Sequence, residues 1–111
     1  MNNLNRLKLA LSNKKYFTDE EYTVFLSEND LVATEEYVKA NEINLYKTVL
    51  TILESLANDT DLMRKIDVQD ITTTGQASQY LENRIKEVKN KIFDLQNKIE
   101  EVPTIVPFLF I

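Results

Sequence analysis

The chain has 111 residues, of which 43% are hydrophobic and 28% charged, a composition typical of one ordinary globular domain rather than of a disordered segment. It has no cysteine, which excludes disulfides and thiolate metal sites, and a single glycine, which excludes a glycine-rich phosphate loop. The formal net charge of −5 argues against general nucleic-acid binding, because neutralising phosphates requires a basic surface.

Two short helices are predicted in the first 30 residues. The first carries leucines at helical spacing and ends at Asn13-Lys14-Lys15. The second begins at Thr18, which has the spacing of a capping box with Glu21. The apolar positions of the two helices are Leu4, Leu7 and Leu11 in the first, and Tyr22, Phe25 and Leu26 in the second.

The segment that follows is a linker over residues 31–41, for which the sequence predicts no regular structure. Tyr37 is its expected anchor to the core. Charge is also divided by segment, since residues 1–15 carry cations without acids and residues 18–42 are rich in acids. The acidic block is either a solvated face or the partner of a basic arm, including the arm of another copy.

A longer helix is predicted from Glu42 to about Ala57, with Asn41 as its N-cap. Its wide apolar face identifies it as the expected core helix. The polar run 58–61 ends it. The stripe consists of Ile43, Tyr46, Leu50, Leu53 and Ala57, broadened by Val49, Ile52 and Leu56.

Residues 66–74 partly alternate apolar and polar side chains and are rich in β-branched residues, which predicts one short extended or β segment. A single strand cannot satisfy its own backbone groups, so it needs a partner, and another copy of the chain is one candidate. The inter-subunit candidates in this segment are Ile66, Val68 and Ile71.

The final helix is predicted from about Gln76 to Glu101, and its apolar residues alternate at spacings of four and three, which is a heptad seam. This seam either packs antiparallel on helix 42–57 within one subunit or forms a coiled coil between copies. Tyr80 and Phe93 lie off the seam and are further inter-subunit candidates. The seam residues are Leu81, Ile85, Val88, Ile92, Leu95 and Ile99, followed by Val102.

The last ten residues, VPTIVPFLFI, carry no charged side chain. Pro103 is expected to stop the helix, which leaves an extended apolar tail. So dense an apolar segment marks a contact surface, which either docks on another subunit or protein or covers its own helices as a lid. The candidate partner-binding residues are Val102, Pro103, Ile105, Val106, Pro107, Phe108, Leu109, Phe110 and Ile111.

These elements predict a mainly α fold. Residues 1–101 form a small helical bundle with a long C-terminal heptad-patterned helix and one short extended or β segment, and residues 102–111 form the extended apolar C-terminal tail.

Catalytic and metal-binding chemistry are not expected. The chain has no histidine and no cysteine, which removes the usual general base near neutral pH and most nucleophilic arrangements. The acidic cluster of residues 58–61 with Asp67 and Asp70 lacks the glycine and the distal glutamate of a calcium loop. The sequence therefore predicts a protein that is not an enzyme and that has no cofactor.

The order of these parts resembles the head–tail connector (adaptor, or head-completion) proteins of tailed bacteriophages. The resemblance lies in a short leading helix, the acidic entry FTDEEYTVFLSEND, the central helix INLYKTVLTILESLAND and the segment DLMRKIDVQDITTTGQASQYLENRIKEVKNKI. It covers roughly residues 4–100 and rests on organisation, since this family has no sharp catalytic motif.

The resemblance implies a structural role in the virion neck, after synthesis in the host cytoplasm. Such proteins form a ring, typically of twelve copies, under the portal, where they extend the DNA channel and dock neck or tail components. The expected partners are therefore other copies, the portal protein and the next neck or tail-completion protein, with DNA only as passing cargo. Val102 to Ile111 corresponds to the arm that reaches the portal, and residues 66–74 to an inter-subunit contact.

Two other classes of protein compete with this interpretation. One is a small coiled-coil interaction module, regulator or chaperone that acts through residues 81–102. The other is a peripheral membrane protein that inserts the apolar tail. Glu100 and Glu101 precede that tail, where a membrane anchor normally carries cations, so no membrane partner is expected.

Overall fold

The computed structural model describes residues 1–59 and 74–105, with side chains over 1–59 and 75–98. The elements in chain order are helix α1 (Asn3–Ala10), helix α2 (Asp19–Glu28), a 3-10 turn (Lys39–Asn41), helix α3 (Glu42–Ala57) and helix α4 (Thr74–Ile105). The predicted mainly α fold is confirmed. Within the described ranges the β structure is limited to one isolated antiparallel bridge, between Asn2 and Glu36.

Helix α1 starts at a side-chain cap, because the Asn2 side chain accepts a hydrogen bond from the Asn5 N–H at 2.8 Å. Its end lies close to the predicted one. Ser12 and Asn13 both have φ of 58°, in the left-handed region that ends a helix and turns the chain away from its axis. Leu7 and Leu11 are buried, so the predicted apolar face packs into the core.

The capping box at the start of α2 is present as predicted. The Thr18 hydroxyl accepts from the Glu21 N–H at 3.2 Å, and the Glu21 carboxylate accepts from the Thr18 N–H at 2.9 Å. Two of the N–H groups that a helix start leaves without helical partners are thereby satisfied. Tyr22 and Leu26 are buried and Phe25 is half-buried, so this helix uses the face that the sequence predicts.

The linker after α2 is ordered against the start of α1. The N–H of Asn3 donates to the Glu35 carbonyl at 2.9 Å, and the N–H of Leu4 donates to the Ala33 carbonyl at 3.1 Å. The Asn3 side chain also donates to the carbonyl of Val32 at 2.8 Å. The first N–H groups of a helix need acceptors from outside it, and the linker carbonyls supply them.

The linker is anchored by Leu31 and Ala33 rather than mainly by Tyr37. Leu31 and Ala33 are 4% and 5% exposed, whereas Tyr37 is half-buried at the edge of the core. The Arg6 guanidinium lies over the Tyr37 ring, with its central carbon 5.2 Å from the ring centroid. Tyr37 therefore does pack against the core, as predicted, but from its edge, where its ring also contacts Arg6 of α1.

One contact between the basic and acidic segments forms within the subunit. The Lys8 ammonium lies 2.8 Å from the Asp19 carboxylate and so joins α1 to the first turn of α2. Since both side chains are partly exposed, this ion pair stabilises the fold by no more than about 1 kcal/mol.

Helix α3 has the predicted bounds but lacks the predicted cap bond, because Asn41 belongs to the 3-10 turn and makes no side-chain hydrogen bond to the helix. Its buried face is also rotated from the predicted stripe. Ile43, Tyr46, Leu50 and Ala57 are only half-buried. Helix α3 packs against α1, α2 and α4, and its buried face is centred on Val49, Ile52 and Leu56, the residues predicted only to broaden the stripe. The buried residues are Leu45, Thr48, Val49, Ile52, Leu53 and Leu56.

Helix α4 packs antiparallel on α3. The Lys91 ammonium lies 5.9 Å from the centroid of the Tyr46 ring, and Leu95 lines a groove with Ile43 near the start of α3. The seam residues Leu81, Val88 and Ile92 are buried, and Ile85 and Leu95 are half-buried, while Ile99 lies outside the described side chains. The described part of the seam is therefore used within the subunit.

The predicted end of the last helix at Glu101 was wrong, because α4 continues through Pro103 to Ile105. A proline has a fixed φ that is close to the helical value, although it lacks the N–H that would complete the helical ladder and its ring crowds the carbonyl four residues before it. At the other end, α4 begins at Thr74, two residues before the predicted start. The rest of the predicted extended segment, with Ile66, Val68 and Ile71, lies outside the described residues.

Candidate docking surface

The predicted docking tail divides into two parts. Val102, Pro103 and Ile105 have helical backbone at the end of α4, so the tail is not extended from residue 102 onward. Their side chains, and all of the partner-binding candidates from Val106 to Ile111, lie outside the described set. The apolar segment therefore follows directly from a long helix.

This helix extends well past the element on which it packs. Helix α4 packs mainly on α3, with one hydrogen bond from the Arg84 guanidinium to the Ala10 carbonyl of α1, and the antiparallel pairing places Leu95 beside the first turn of α3. At a rise of about 1.5 Å per residue, the helix from Leu95 to Ile105 continues for about 15 Å. We call residues 96–105, the last part of α4, the arm.

A groove lies at the base of the arm, between the start of α3 and the C-terminal half of α4. It has a volume of about 290 Å³, and its apolar floor is formed by the half-buried side chains of Ile43 and Leu95 with Ala40. Lys39, Glu42 and Lys98 form its rim. An apolar floor with a polar rim is the usual composition of a site that takes an apolar side chain.

The charges at the rim are partly neutralised within the chain. The Lys39 ammonium lies 3.1 Å and 3.3 Å from the two carboxylate oxygens of Glu42, whose side chain is only 12% exposed. Burial, and then the nearby Glu42 carboxylate, raise the pKa of Tyr37, so its hydroxyl stays neutral beside this rim. Lys39 and Glu42 therefore neutralise each other at this rim.

The two aromatic candidates on α4 have different surroundings. Phe93 is 61% exposed, as expected for a residue that faces a second surface. Tyr80 instead packs half-buried against the core and is hydrogen-bonded to the Tyr16 hydroxyl. Burial raises the pKa of Tyr16, and Tyr80 adds to this shift. The structure therefore leaves Phe93 available to a partner and uses Tyr80 within the subunit.

A second, larger cleft of about 620 Å³ lies between the end of α1 and the start of α2. The Tyr22 hydroxyl orders the loop at its wall, since it accepts from the N–H groups of Tyr16 and Phe17 at 3.1 Å and 3.3 Å and lies 3.2 Å from the Lys14 carbonyl. The lining side chains include lysines and carboxylates, and Lys8 is already paired with Asp19. This cleft is therefore a mixed-charge surface rather than a pocket for one charged ligand.

The groove at the base of the arm was not found from the sequence, where Lys39 and Ala40 belonged to a linker without predicted structure. The one available signal was the antiparallel hairpin itself. If helix 42–57 packs antiparallel on the last helix, Ile43 at its start must lie near the C-terminal half of that last helix. The exact pair, Ile43 with Leu95, depends on the register of the two helices, which the seam spacing alone does not fix.

In the described ranges, histidine, cysteine, aspartate and glutamate side chains form no group of three or more that could hold a metal ion. None of the described helices is both long enough and apolar enough to cross a membrane. Comparison of the chain with protein-family models, with curated proteins and with solved structures finds no match.

Proposed function

We propose that this chain is a structural assembly protein and, specifically, a head–tail connector of a tailed bacteriophage that acts without catalysis. In this proposal its copies form a ring under the portal, extend the DNA channel and dock neck or tail components. The observation that carries the proposal is the arm at the end of α4, whose backbone is helical through Ile105, directly before the apolar residues 106–111 in the sequence.

The physical argument rests on how the arm presents that segment. Helical backbone through Ile105 makes the arm stiff, and the apolar residues 106–111 follow it in the sequence. Phe108 and Phe110 are the strongest anchors, since burying one such side chain contributes about 1.5–3 kcal/mol. In a ring the same contact repeats once per subunit, so modest individual contacts add up to stable assembly.

The charge balance is compatible with this role. A formal charge of −5 per subunit, repeated around a ring, does not favour tight binding of DNA phosphates. A channel that must pass DNA without holding it needs this property.

The rival function, a coiled-coil module or regulator acting through residues 81–102, has less support. Leu81, Val88 and Ile92 are buried against α3 in a single subunit. A dimer through the same residues would first have to separate α4 from α3, at the cost of most of the apolar contact in the hairpin.

Co-expression with a portal protein from the genome that encodes this chain tests the proposal. The unchanged chain should co-purify with the portal, and a variant with both Phe108→Ser and Phe110→Ser should not. Val24→Ser is the matched control, because Val24 is an apolar residue that is 58% exposed on α2, away from the arm. Failure of the unchanged chain to bind the portal, or binding that survives loss of both phenylalanines, would contradict the proposal.

A further inference from the structure

We infer that copies of this chain contact each other through two unlike faces, the exposed face of α2 around Val24 on one copy and the exposed face of α4 around Phe93 on the next. This inference rests on the proposed function, because it identifies a contact between neighbouring subunits of the ring. The partner of each face is a second copy of the same chain.

The α2 face has an apolar centre with an acidic border. Val24 is 58% exposed and lies on the side of α2 opposite the buried Tyr22 and Leu26. Glu20 and Glu28 lie four residues before and four residues after Val24, so both exposed carboxylates border the valine. Neither glutamate has a cation three or four positions away in the sequence, and neither forms an ion pair within the described ranges.

The α4 face has an apolar centre with a basic border on its N-terminal side. Phe93 is 61% exposed, and the exposed Lys89 and Lys86 lie four and seven residues before it on the same face. Lys86 has Glu82 at the spacing of a helix ion pair. Lys89 has no acid three or four positions away, and it too forms no ion pair with the rest of the described chain. Lys89 is therefore the cation on this face that an acidic surface can pair with.

The two faces complement each other in apolar area and in charge. Packing Val24 on Phe93 covers two apolar side chains that a single subunit exposes. Since a carboxylate borders Val24 on both sides, either Glu20 or Glu28 faces Lys89 whether the two helices run parallel or antiparallel. Opposite charges at the edge of an apolar contact favour association and set its register.

One subunit cannot join its own two faces. Helices α2 and α4 both pack on α3, and in the described ranges they do not contact each other. The contact therefore forms only between copies. A contact between two unlike faces repeats from copy to copy and closes into a ring when the rotation between neighbours allows it, which is the kind of contact that a connector ring needs.

The contact is small, since each face centres on a single exposed apolar side chain. Interfaces below about 1,200 Å² are typical of weak and transient association. We therefore expect the contact between α2 and α4 to act beside docking of the tail, and single copies to predominate when the tail contact is absent.

Cross-linking between cysteines tests the inference, because the chain has no cysteine of its own. Full-length chains with Ser27→Cys and with Asn90→Cys are mixed in equal amounts and joined by a bismaleimide, whose reach tolerates either direction of the helices. Both are exposed polar residues three positions from Val24 and Phe93, so the apolar centres and the charges stay in place. The control pair combines Asn90→Cys with Asn5→Cys, which is exposed on α1. We expect about tenfold more linked heterodimer from the first pair, since docking raises the effective concentration of the two thiols.

Charge reversal then distinguishes pairing of the two faces from a general loss of association. In the Ser27→Cys chain, Glu20→Lys with Glu28→Lys should lower cross-linking to the unreversed Asn90→Cys chain about fivefold, because like charges then meet. Adding Lys89→Glu to the Asn90→Cys chain should restore it. Damage to the fold of either chain cannot produce that recovery.

Failure of this inference and failure of the proposed function give different results. Cross-linking no better than in the control pair, or no recovery when both charges are reversed, overturns the inference. Portal binding that is then still lost with Phe108→Ser and Phe110→Ser keeps the docking role. Cross-linking between the two faces in a chain that does not bind the portal confirms the contact and contradicts the proposed function. Lys89→Glu alone, which leaves the tail unchanged, should lower cross-linking while the chain still co-purifies with the portal.

Discussion

Leu81→Ala tests whether the heptad seam is satisfied inside one subunit. Leu81 is fully buried and lies on the face of α4 that packs against α3. The substitution removes three carbon atoms from the core, worth about 2.4 kcal/mol of transfer free energy at about 0.8 kcal/mol each. The cavity left behind adds to this, so we expect the free energy of unfolding to fall by about 3 kcal/mol. Phe93→Ala, at a residue of the same helix that is 61% exposed, should change it by less than about 0.5 kcal/mol.

The assay is urea unfolding followed by circular dichroism at two protein concentrations a hundredfold apart. Phe108→Ser and Phe110→Ser are present in every chain, so that assembly through the tail does not contribute. An intramolecular seam gives the same midpoint at both concentrations. A seam between two copies would instead raise the apparent stability by about 2.7 kcal/mol at the higher concentration. A midpoint that moves with concentration, or equal effects of Leu81→Ala and Phe93→Ala, would refute the reasoning.

Three further predictions concern the N-terminal half of the chain. Tyr22→Phe removes the hydroxyl that accepts from the Tyr16 N–H and the Phe17 N–H, so it should cost about 2 kcal/mol in urea unfolding and speed hydrogen exchange at those two amides. Thr18→Ala removes one half of the capping box with Glu21 and should cost about 1 kcal/mol in the same assay, with loss of exchange protection confined to the start of α2. Burial raises the pKa of Tyr16, so the folded protein keeps this hydroxyl neutral at a pH where the unfolded chain already ionises it. The free energy of unfolding should therefore be constant below a pH of about 10 and fall above it by up to about 1.4 kcal/mol per pH unit. Tyr16→Phe should remove this fall between pH 10 and 11.

The elements that the sequence predicted well are those set by short-range physics. The bounds of α3 follow from a wide apolar stripe that ends at the polar run 58–61, and the start of α2 follows from Thr18 and Glu21 three residues apart. Each signal lies within one or two helical turns. A single sequence is therefore enough to locate them.

The linker and the end of α4 were harder to predict for different reasons. Residues 31–38 are held by backbone hydrogen bonds to the start of α1, and carbonyl groups leave no pattern in the sequence. The one trace of this contact in the sequence is the pair of apolar residues Leu31 and Ala33, two positions apart, which the structure buries. At Pro103, the local rule that proline ends a helix failed, because its fixed φ is compatible with helical backbone even though it removes one hydrogen bond of the ladder.

The candidate docking surface was predicted in part. The apolar composition of the chain's end is visible in the sequence, and so is the exposed position of Phe93 off the seam. The groove is not, because it is made by residues that are more than 50 positions apart and brought together by the register of α3 and α4. Such a surface depends on tertiary structure.

The most direct test of the central claim is the mass of the assembled protein, measured by light scattering with electron microscopy of the same sample, alone and with the portal protein. A connector predicts closed rings, of about 155 kDa for twelve copies of a 12.9 kDa chain, that are lost when Phe108 and Phe110 are both changed to serine. A dimer that persists in that variant, or a monomer both with and without the portal protein, would contradict the account.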